Sequence, residues 1–171
     1  MFEPRLFECR LFEYKDFVVR SWQSGDRVLS AVVIETVLAE YGLGWEPEGA
    51  DADVLNVEEC YGDGEFWVVE LNGVVVGTAA YYSIDRAENA VEIRKMYLLP
   101  IARGKGLGRF LLNALEAVII QKGFAEIWIE TASVLREAVI LYERSGYESA
   151  TGVETERCDR VYVKKLSVLR T

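Results

Sequence analysis

The sequence predicts an α/β domain in which an antiparallel strand meander is followed by alternating helices and strands. Two β-rich runs, Glu65 to Leu71 and Val74 to Ile84, are separated only by Asn72-Gly73, which is the strongest local signal for a tight hairpin. A second turn leads to a third β-rich run, Val91 to Leu99, and Pro100 stops its ladder because proline has no backbone N–H. We expect this third run to be the central strand.

A glycine-rich loop follows the central strand and leads directly into a helix. Glycines and cations are interleaved there, as Arg103, Gly104, Lys105, Gly106, Leu107, Gly108 and Arg109. Apolar residues then recur at helical spacing, and Lys122 and Gly123 are typical of a last turn and its cap. Because the first N–H groups of a helix are unpaired and its dipole is positive there, the loop favours an anion such as phosphate.

The same glycines could instead merely turn the chain, since an isolated Gly-x-Gly-x-Gly has no single meaning. A P-loop is excluded because no Ser or Thr follows a Gly-Lys pair at the spacing that magnesium binding needs. A dinucleotide-binding fingerprint fits poorly, because the glycines do not fall as Gly-x-Gly-x-x-Gly and the loop lies in mid-chain after a hairpin. A second motif is needed to define the ligand.

The first third of the chain is expected to contain one strand, one long helix and a loop. A β-rich run at Phe17 to Trp22 is followed by a turn that ends in Asp26 as a helix N-cap. The helix is predicted over Arg27 to Tyr41, and the segment from Trp45 to Gly64 is predicted to be mostly loop with one short helix. The expected apolar face of the long helix comprises Val28, Leu29, Val32, Val33, Val37, Leu38 and Tyr41.

The last third of the chain is expected to supply a strand, a helix and a final strand. Phe124 to Glu130 alternates as a strand, and Ser133 is predicted to cap a helix that reaches Arg144 and is closed by Gly146. A polar loop then precedes a last strand at Val161 to Leu166.

Two motifs in this order resemble the GCN5-related N-acetyltransferases, the GNAT superfamily. Arg103-x-x-Gly106-x-Gly108, entering a helix after a strand that ends in Leu98-Leu99-Pro100, resembles that family's acetyl-CoA pyrophosphate loop. The run from Ala138 to Tyr147 resembles the family's closing helix, in which a tyrosine, here Tyr142, precedes a Gly-aromatic pair, here Gly146-Tyr147, by four residues. A strand at Glu126 to Glu130 joins the two motifs.

The resemblance implies a single GNAT domain over residues 1–171, with the specific motifs at 90–147. Its sheet would be mixed and mostly antiparallel, splayed at its centre and flanked by helices. Residues 1–16, which hold Arg-Leu-Phe-Glu twice, fall outside the resemblance. They could form an extra strand, bind a partner, or pack Phe7 or Phe12 on the core.

The resemblance also implies an activity, namely transfer of the acetyl group of acetyl-CoA to a primary amine of a small molecule or peptide. The amine would attack directly in a ternary complex, and relatives often form homodimers. A catalytically inactive acyl-CoA sensor or interaction module on the same scaffold is an alternative. A nucleotide-binding protein, which would prefer ATP or NAD to acetyl-CoA, is a third hypothesis.

Cofactor contacts are expected at the splayed part of the central strand and along the loop. By resemblance the cofactor-binding residues are Met96, Tyr97, Leu98, Arg103, Gly104, Lys105, Gly106, Leu107, Gly108 and Arg109. The amide-bearing pantetheine arm could pair as an added strand beside exposed backbone. The backbone N–H near Leu98 would polarise the thioester carbonyl in the manner of an oxyanion hole.

Tyr142 matches the family's catalytic tyrosine, and its phenol could protonate the departing thiolate. It could also be a core tyrosine on the apolar face of its helix. The chain departs from the family pattern at Leu135, seven residues earlier, where many relatives have an asparagine that contacts the cofactor.

Glu92 and Glu130 are the candidates for the general base. Glu92 opens the central strand and is expected to share a face with Arg94 and Met96, and Glu130 ends the neighbouring strand. Glu130 also precedes Tyr142 by the interval found in relatives that use a glutamate there. Each has a structural alternative, because Glu92 could pair with Arg94 and Glu130 could only solvate a strand end.

Composition limits the other classes of function. A formal net charge of −9 argues against nonspecific nucleic-acid binding, although an acidic surface could attract cationic amines or simply confer solubility. Three separated cysteines and the absence of histidine argue against a zinc site, so no metal is expected. No window approaches the ~20 apolar residues of a membrane span, and the N-terminus lacks a signal-peptide pattern, so a cytoplasmic location is expected.

Overall fold

A computed structural model describes residues 8–167, and the predicted α/β architecture is confirmed. The strands are β1 (Leu11–Tyr14), β2 (Phe17–Ser21), β3 (Glu65–Leu71), β4 (Val74–Ile84), β5 (Ala90–Leu98), β6 (Glu126–Thr131), β7 (Glu148–Ala150) and β8 (Arg160–Lys165). The α-helices are α1 (Arg27–Glu40), α2 (Ala52–Leu55), α3 (Val57–Cys60), α4 (Leu107–Gln121) and α5 (Arg136–Arg144). Short 3-10 helices lie at Ser24–Asp26 and Pro100–Ala102.

One mixed, mostly antiparallel sheet organises these elements, in the order β1-β2-β3-β4-β5-β6-β8-β7. Among the described strands, only β5 and β6 are parallel neighbours, and their pairing is limited to Ala90–Glu92 against Glu126–Trp128. Both strands continue beyond that point without pairing to each other, β5 as far as Leu98. The sheet therefore opens at its centre, which confirms the predicted splay.

Helices cover both faces of the sheet because its central strands are apolar on both sides. On β3, Trp67 and Val69 pack into the cluster that contains α4, whereas Phe66 and Val68 pack with α1 and the short helices. Each such fully buried apolar side chain contributes about 1.5–3 kcal/mol of hydrophobic stabilisation. These two apolar layers hold the splayed strands in place.

The local turn chemistry of the meander is confirmed. Asn72 and Gly73 both have positive φ, 51° and 79°, as a two-residue hairpin turn between right-twisted strands requires. The N-terminal segment forms an extra strand, because β1 pairs with β2 in a second hairpin, and Phe12 packs against the core. Phe7 lies outside the described residues.

The predicted apolar face of α1 is partly wrong. Val28, Leu29 and Val32 are 71%, 51% and 50% exposed, and the helix buries a face that includes Ile34 and Leu38. The reason is that α1 is apolar on most of its surface, so its sequence pattern does not single out one face. The segment before β3 also contains two short helices where one was predicted.

Two details at the ends of helices differ from the sequence expectation. Ser133 does not cap α5, which has Leu135 as its N-cap; its N–H and hydroxyl donate to the Asp159 carboxylate at 2.7 and 2.6 Å. Asp26 does precede α1, but its carboxylate accepts from Gln23 N and Arg20. In both cases a nearby tertiary or turn partner replaces the local cap. Strand β7 was not predicted.

Candidate active site

The loop after β5 has the open geometry that the glycines predict. Gly104 and Gly106 have φ of 73° and 82°, a left-handed conformation that favours glycine, and Gly106 is the N-cap of α4. Within residues 8–167, no protein acceptor takes a hydrogen bond from the N–H groups of Gly104 to Arg109. Six consecutive amides are therefore available to an anion where the dipole of α4 is positive.

A cavity of about 200 Å³ lies beside this loop, between the end of β5, α4 and α5. The structure brings together eight of the predicted cofactor residues around it: Met96, Tyr97, Leu98, Arg103, Gly104, Gly106, Leu107 and Gly108. Tyr142 and Leu135 line the same cavity from the α5 side. Sequence reasoning missed the wall formed by Val37 and Tyr41, because α1 is distant in the chain.

The three cations of the loop have different placements. Arg103 donates from Nε to Leu98 O at 2.9 Å and from its guanidinium to both Glu40 carboxylate oxygens, which braces the loop against α1. Lys105 Nζ lies 5.5 Å from the centroid of the Phe17 ring. Arg109 is exposed. Lys105 and Arg109 do not line the cavity, and both lie beside the open amides.

A bulge in β5 changes which side chains share a face. Lys95 has φ of 53°, the β4–β5 register shifts beside it, and its carbonyl accepts a bond from Thr78 Oγ1 at 2.6 Å. Arg94 and Lys95 consequently lie on the α1 side, whereas Met96 packs in the cluster that contains α4. The expectation that Met96 shares a face with Glu92 and Arg94 is wrong, since the bulge interrupts the alternation.

The same strand offers a backbone donor to the opened gap. Leu99 N donates to Val76 O at 2.9 Å, so the peptide groups at Leu99 face β4. Because successive peptide groups of an antiparallel strand point in opposite directions, the N–H of Leu98 points away from β4, towards the gap beside β6. This is the donor that the sequence resemblance placed at an oxyanion site.

Glu92 and Glu130 line one small cavity of about 40 Å³ at the start of the splay. Glu92 is 7% exposed, and its Oε1 lies 3.5 Å from Arg94 Nε. Burial raises the pKa of the Glu92 carboxyl to about 7, with Arg94 opposing that rise and the charge of Glu130 adding to it. A carboxylate of this basicity can accept a proton near neutral pH.

Glu130 is occupied by the loop between β7 and β8. Its carboxylate accepts hydrogen bonds from Glu154 N at 2.6 Å, Thr155 N at 3.2 Å and Thr155 Oγ1 at 3.4 Å. Arg86 lies 3.5 Å from the same group. These donors hold the carboxylate and, through it, the loop. The geometry favours Glu92 over Glu130 as a base, although both border the cavity.

Tyr142 lies between the cavity beside the glycine-rich loop and the cleft formed by the two small adjoining cavities that Glu130 lines. Tyr142 is 4% exposed, and the centroid of its ring lies 6.0 Å from that of Tyr147 and 6.1 Å from that of Tyr162. It lines both the cavity beside the loop and the adjoining cavity that reaches Glu130. Burial, with the neighbouring Tyr97 and Cys158, raises the pKa of the Tyr142 phenol, so it stays protonated near neutral pH. It can therefore act only as a proton donor there.

A buried ion cluster supports the α1 side of the cleft and was not predicted. Asp51 is 0% exposed; it accepts bidentate bonds from Arg157 at 2.6 and 2.7 Å and one from Lys95 Nζ at 2.7 Å. Burial alone would raise the pKa of Asp51, but the hydrogen bonds from Arg157 and the charge of Lys95 hold it at about 2. The cluster fixes Lys95, the bulge residue, in place.

Neither a metal-binding group nor a membrane-spanning helix is found within residues 8–167. Across residues 8–167, no group of three His, Cys, Asp or Glu side chains is arranged to hold a metal ion. In the same range, none of the helices combines the length and apolarity that crossing a membrane requires.

Comparison with known proteins identifies the family. The model of the acetyltransferase (GNAT) family matches residues 31–147. The uncharacterized N-acetyltransferase YjgM of Escherichia coli (strain K12) is 38% identical over 138 residues, covering 77% of this chain and 81% of that protein. The probable N-acetyltransferase camello of Xenopus tropicalis is 30% identical over 137 residues, covering 74% of this chain and 63% of that protein. The chain belongs to the GNAT family and is an acetyl-CoA-dependent N-acetyltransferase.

Solved structures share the fold. A GNAT-family acetyltransferase from Staphylococcus aureus Mu50 superposes with a TM-score of 0.81 at 18% identity, covering 88% of this chain and 99% of that one. The PaiA N-acetyltransferase of Thermoplasma acidophilum, solved in complex with coenzyme A, superposes with a TM-score of 0.68 at 19% identity. The match covers 88% of this chain and 99% of that one. The splayed sheet with flanking helices is thus the architecture of this family.

Proposed function

We propose that this protein transfers the acetyl group of acetyl-CoA to a primary amine of a small molecule or peptide, by direct attack in a ternary complex. The observation that carries the proposal is one continuous arrangement: open amides at the head of α4, a cavity along the splayed strand, and a cleft that holds Glu92. Tyr142 borders both parts.

The residues present fit acetyl-CoA. The amides of Gly104 to Arg109 would hold the diphosphate, with Lys105 and Arg109 adding positive charge nearby. The splayed edge of β5 from Met96 to Leu98 would hold the pantetheine arm, because its peptide groups on that side have no partner strand. When bound, the cofactor supplies an acetyl thioester. The Leu98 N–H would polarise its carbonyl.

Glu92 would take the proton that the ammonium form of the acceptor must lose before its nitrogen can attack. The second proton, which the nitrogen loses as the amide forms, balances the one that the departing thiolate gains. An alkylamine arrives mostly as its ammonium form, so a base with a pKa near 7 is matched to the task without being fully protonated at neutral pH. Arg94, 3.5 Å away, keeps the carboxylate oriented along β5. Tyr142 would donate its phenol proton to the departing thiolate from the other side of the cleft.

Direct attack is favoured over a covalent acetyl-cysteine route. Cys158 lines the cleft, but burial and the charge of Glu130 raise the pKa of its thiol to about 11, so the nucleophilic thiolate is scarce near neutral pH. The described chain from residue 8 to 167 contains no histidine to act as its base. The acceptor amine itself is then the nucleophile.

The mouth of the cleft supports an acceptor that arrives as a cation. A groove beside the Thr155 end of the cleft is lined by four glutamates, Glu46, Glu48, Glu154 and Glu156. Glu46 lies 3.8 Å from Arg157 and Glu154 lies 3.5 Å from Arg86, and the remaining negative charge of the rim would attract ammonium groups and disfavour anionic acceptors. Primary amines without a neighbouring carboxylate are therefore the preferred class in this proposal. The cytoplasmic location and the homodimer expected from the sequence remain predictions.

The test is an acetyl-CoA turnover assay on pooled amines, polyamines and peptides, with mass-spectrometric identification of the product. The expected result is a product heavier by one acetyl group on a primary amine, formed faster from cationic than from anionic acceptors. Tight acetyl-CoA binding with no transfer to any amine would instead support an inactive sensor. Preferential binding of ATP or NAD would support a nucleotide-binding protein.

A further inference from the structure

The hairpin formed by β1 and β2 ends beside the glycine-rich loop. Its tip presents Tyr14 and Lys15, and both donate to a single acceptor, the carbonyl oxygen of Lys105: Tyr14 Oη at 2.8 Å and Lys15 Nζ at 2.7 Å. The contact spans about ninety residues of sequence, with separations of 91 and 90. The hairpin is thus tied to the middle of the loop.

The hairpin tip is held in place independently of this contact. The Tyr14 ring stacks on Phe110 of α4, with centroids 4.7 Å apart and an interplanar angle of 26°. The ring centroid of Phe12, on the same strand, lies 5.2 Å from that of Trp67 and 6.5 Å from that of Phe110. Aromatic pairs of this kind stabilise a defined relative position. The Tyr14 hydroxyl is therefore fixed with respect to the head of α4.

Holding the Lys105 carbonyl also fixes the next amide. The peptide unit between Lys105 and Gly106 is planar and trans, so its C=O and N–H point in opposite directions. When the carbonyl faces the hairpin, the Gly106 N–H faces away from it. The loop peptides are otherwise easily reoriented, because Gly104 and Gly106 both lie at positive φ in a glycine-rich segment.

We propose that Tyr14 and Lys15 are positioning residues for cofactor binding: they hold the Lys105 carbonyl away from the anion and so aim the Gly106 N–H at the diphosphate of coenzyme A. The inference rests on the proposed function of the loop. It assigns a role to the N-terminal extension that the sequence left unassigned. Tyr14 and Lys15 themselves need not touch the cofactor.

The experiment measures coenzyme A and 3′-dephospho-coenzyme A binding by calorimetry in wild type, Y14F, K15M and the double variant; methionine has no donor to replace the Lys15 ammonium. Loss of one neutral hydrogen bond should weaken binding about threefold, and loss of the charge-assisted bond about fivefold. Both ligands carry the same diphosphate, so both should weaken by the same factor. K15R, which keeps a donor, should restore most of the affinity.

Two controls separate positioning from general effects. K165Q removes a charge from an exposed lysine at the end of β8 and should leave affinity unchanged. In Y14F the ring can still stack on Phe110, so the melting temperature should change little. In steady-state kinetics the variants should raise KM for acetyl-CoA while kcat at saturation stays within about twofold of wild type.

The outcomes are distinguishable. Equal weakening of both ligands supports the proposal. Unchanged affinity in the double variant overturns it, and so does a loss confined to coenzyme A, because that would mean that Lys15 contacts the 3′-phosphate. A wild-type protein that binds neither ligand overturns the proposed function, and this inference with it.

Discussion

Glu92 Oε1 lies 3.5 Å from Arg94 Nε on strand β5, yet the pKa of the Glu92 carboxyl is raised to about 7. Burial outweighs the attraction of the nearby guanidinium, because a carboxylate that is 7% exposed has lost most of its hydration. The pair therefore joins a carboxyl of near-neutral pKa to a cation that lies beside it.

E92Q should lower kcat by about 100-fold and remove the acidic limb of the pH–rate profile. In wild type the rate should rise as pH increases through about 7, because only the deprotonated form accepts a proton. E148Q, at an exposed position on β7, is the matched control, and its pH–rate profile should keep the acidic limb of wild type. If E92Q retains the limb, the base lies elsewhere.

The same variant should be more stable than wild type at alkaline pH. The folded-state pKa of Glu92 is raised from 4.5 to about 7, so its contribution to stability is fully present below about 4.5 and is lost as pH rises through 7. Glutamine mimics the neutral acid at every pH. Denaturant titration should show a gain of roughly 1–3 kcal/mol at about pH 8 and little difference at about pH 4.

Y142F should reduce turnover by about 100-fold while changing acetyl-CoA affinity less than about threefold. The phenol stands between the two parts of the site, and the variant removes its hydroxyl group while keeping the ring. Y147F is the control, because the buried Tyr147 hydroxyl donates to Glu116 Oε1 at 2.9 Å. Loss of this hydrogen bond should lower the free energy of unfolding by about 1 kcal/mol and leave turnover unchanged. Equal kcat in Y142F and wild type would make Tyr142 structural.

E130Q separates the two glutamates. Its carboxylate binds two backbone N–H groups of the loop before β8, so the variant should lose roughly 1–3 kcal/mol of stability and retain the acidic limb of the pH–rate profile. Chemical denaturation and the pH profile are measured on the same preparation. Loss of the limb with stability unchanged would assign the base to Glu130 instead.

Features that depend on local chemistry were predictable from the sequence. Asn72-Gly73 specifies its turn because both residues tolerate positive φ, and Gly104 and Gly106 specify an open loop for the same reason. Much of the lining of the cavity beside the loop followed, because nine of its residues come from the single stretch Met96 to Gly108.

Features that depend on distant partners were not predictable. The sequence around Ser133 predicts a helix cap, but in the structure its hydroxyl donates to Asp159. Glu130 was a candidate base, but its carboxylate accepts a hydrogen bond from Glu154 N, 24 residues later in the chain. The bulge at Lys95 has positive φ without a glycine, so the sequence gives no local signal for it. The buried ion cluster that holds Lys95 involves Asp51, 44 residues away. The role of Tyr14 likewise needs the fold.

Binding of the coenzyme A diphosphate by the loop is tested most directly by calorimetric titration of acetyl-CoA into wild type, G106E and G123E. At Gly106 an added Cβ would lie 2.5 Å from Tyr14 Oη, φ is 82°, and the new carboxylate would sit among the amides. Gly123 ends the same helix at φ 86° with open space around it, so the same substitution there carries similar backbone strain away from the loop. Affinity should fall by about 100-fold or more in G106E and stay near wild type in G123E. Normal affinity in G106E would contradict the assignment of the loop as the diphosphate site.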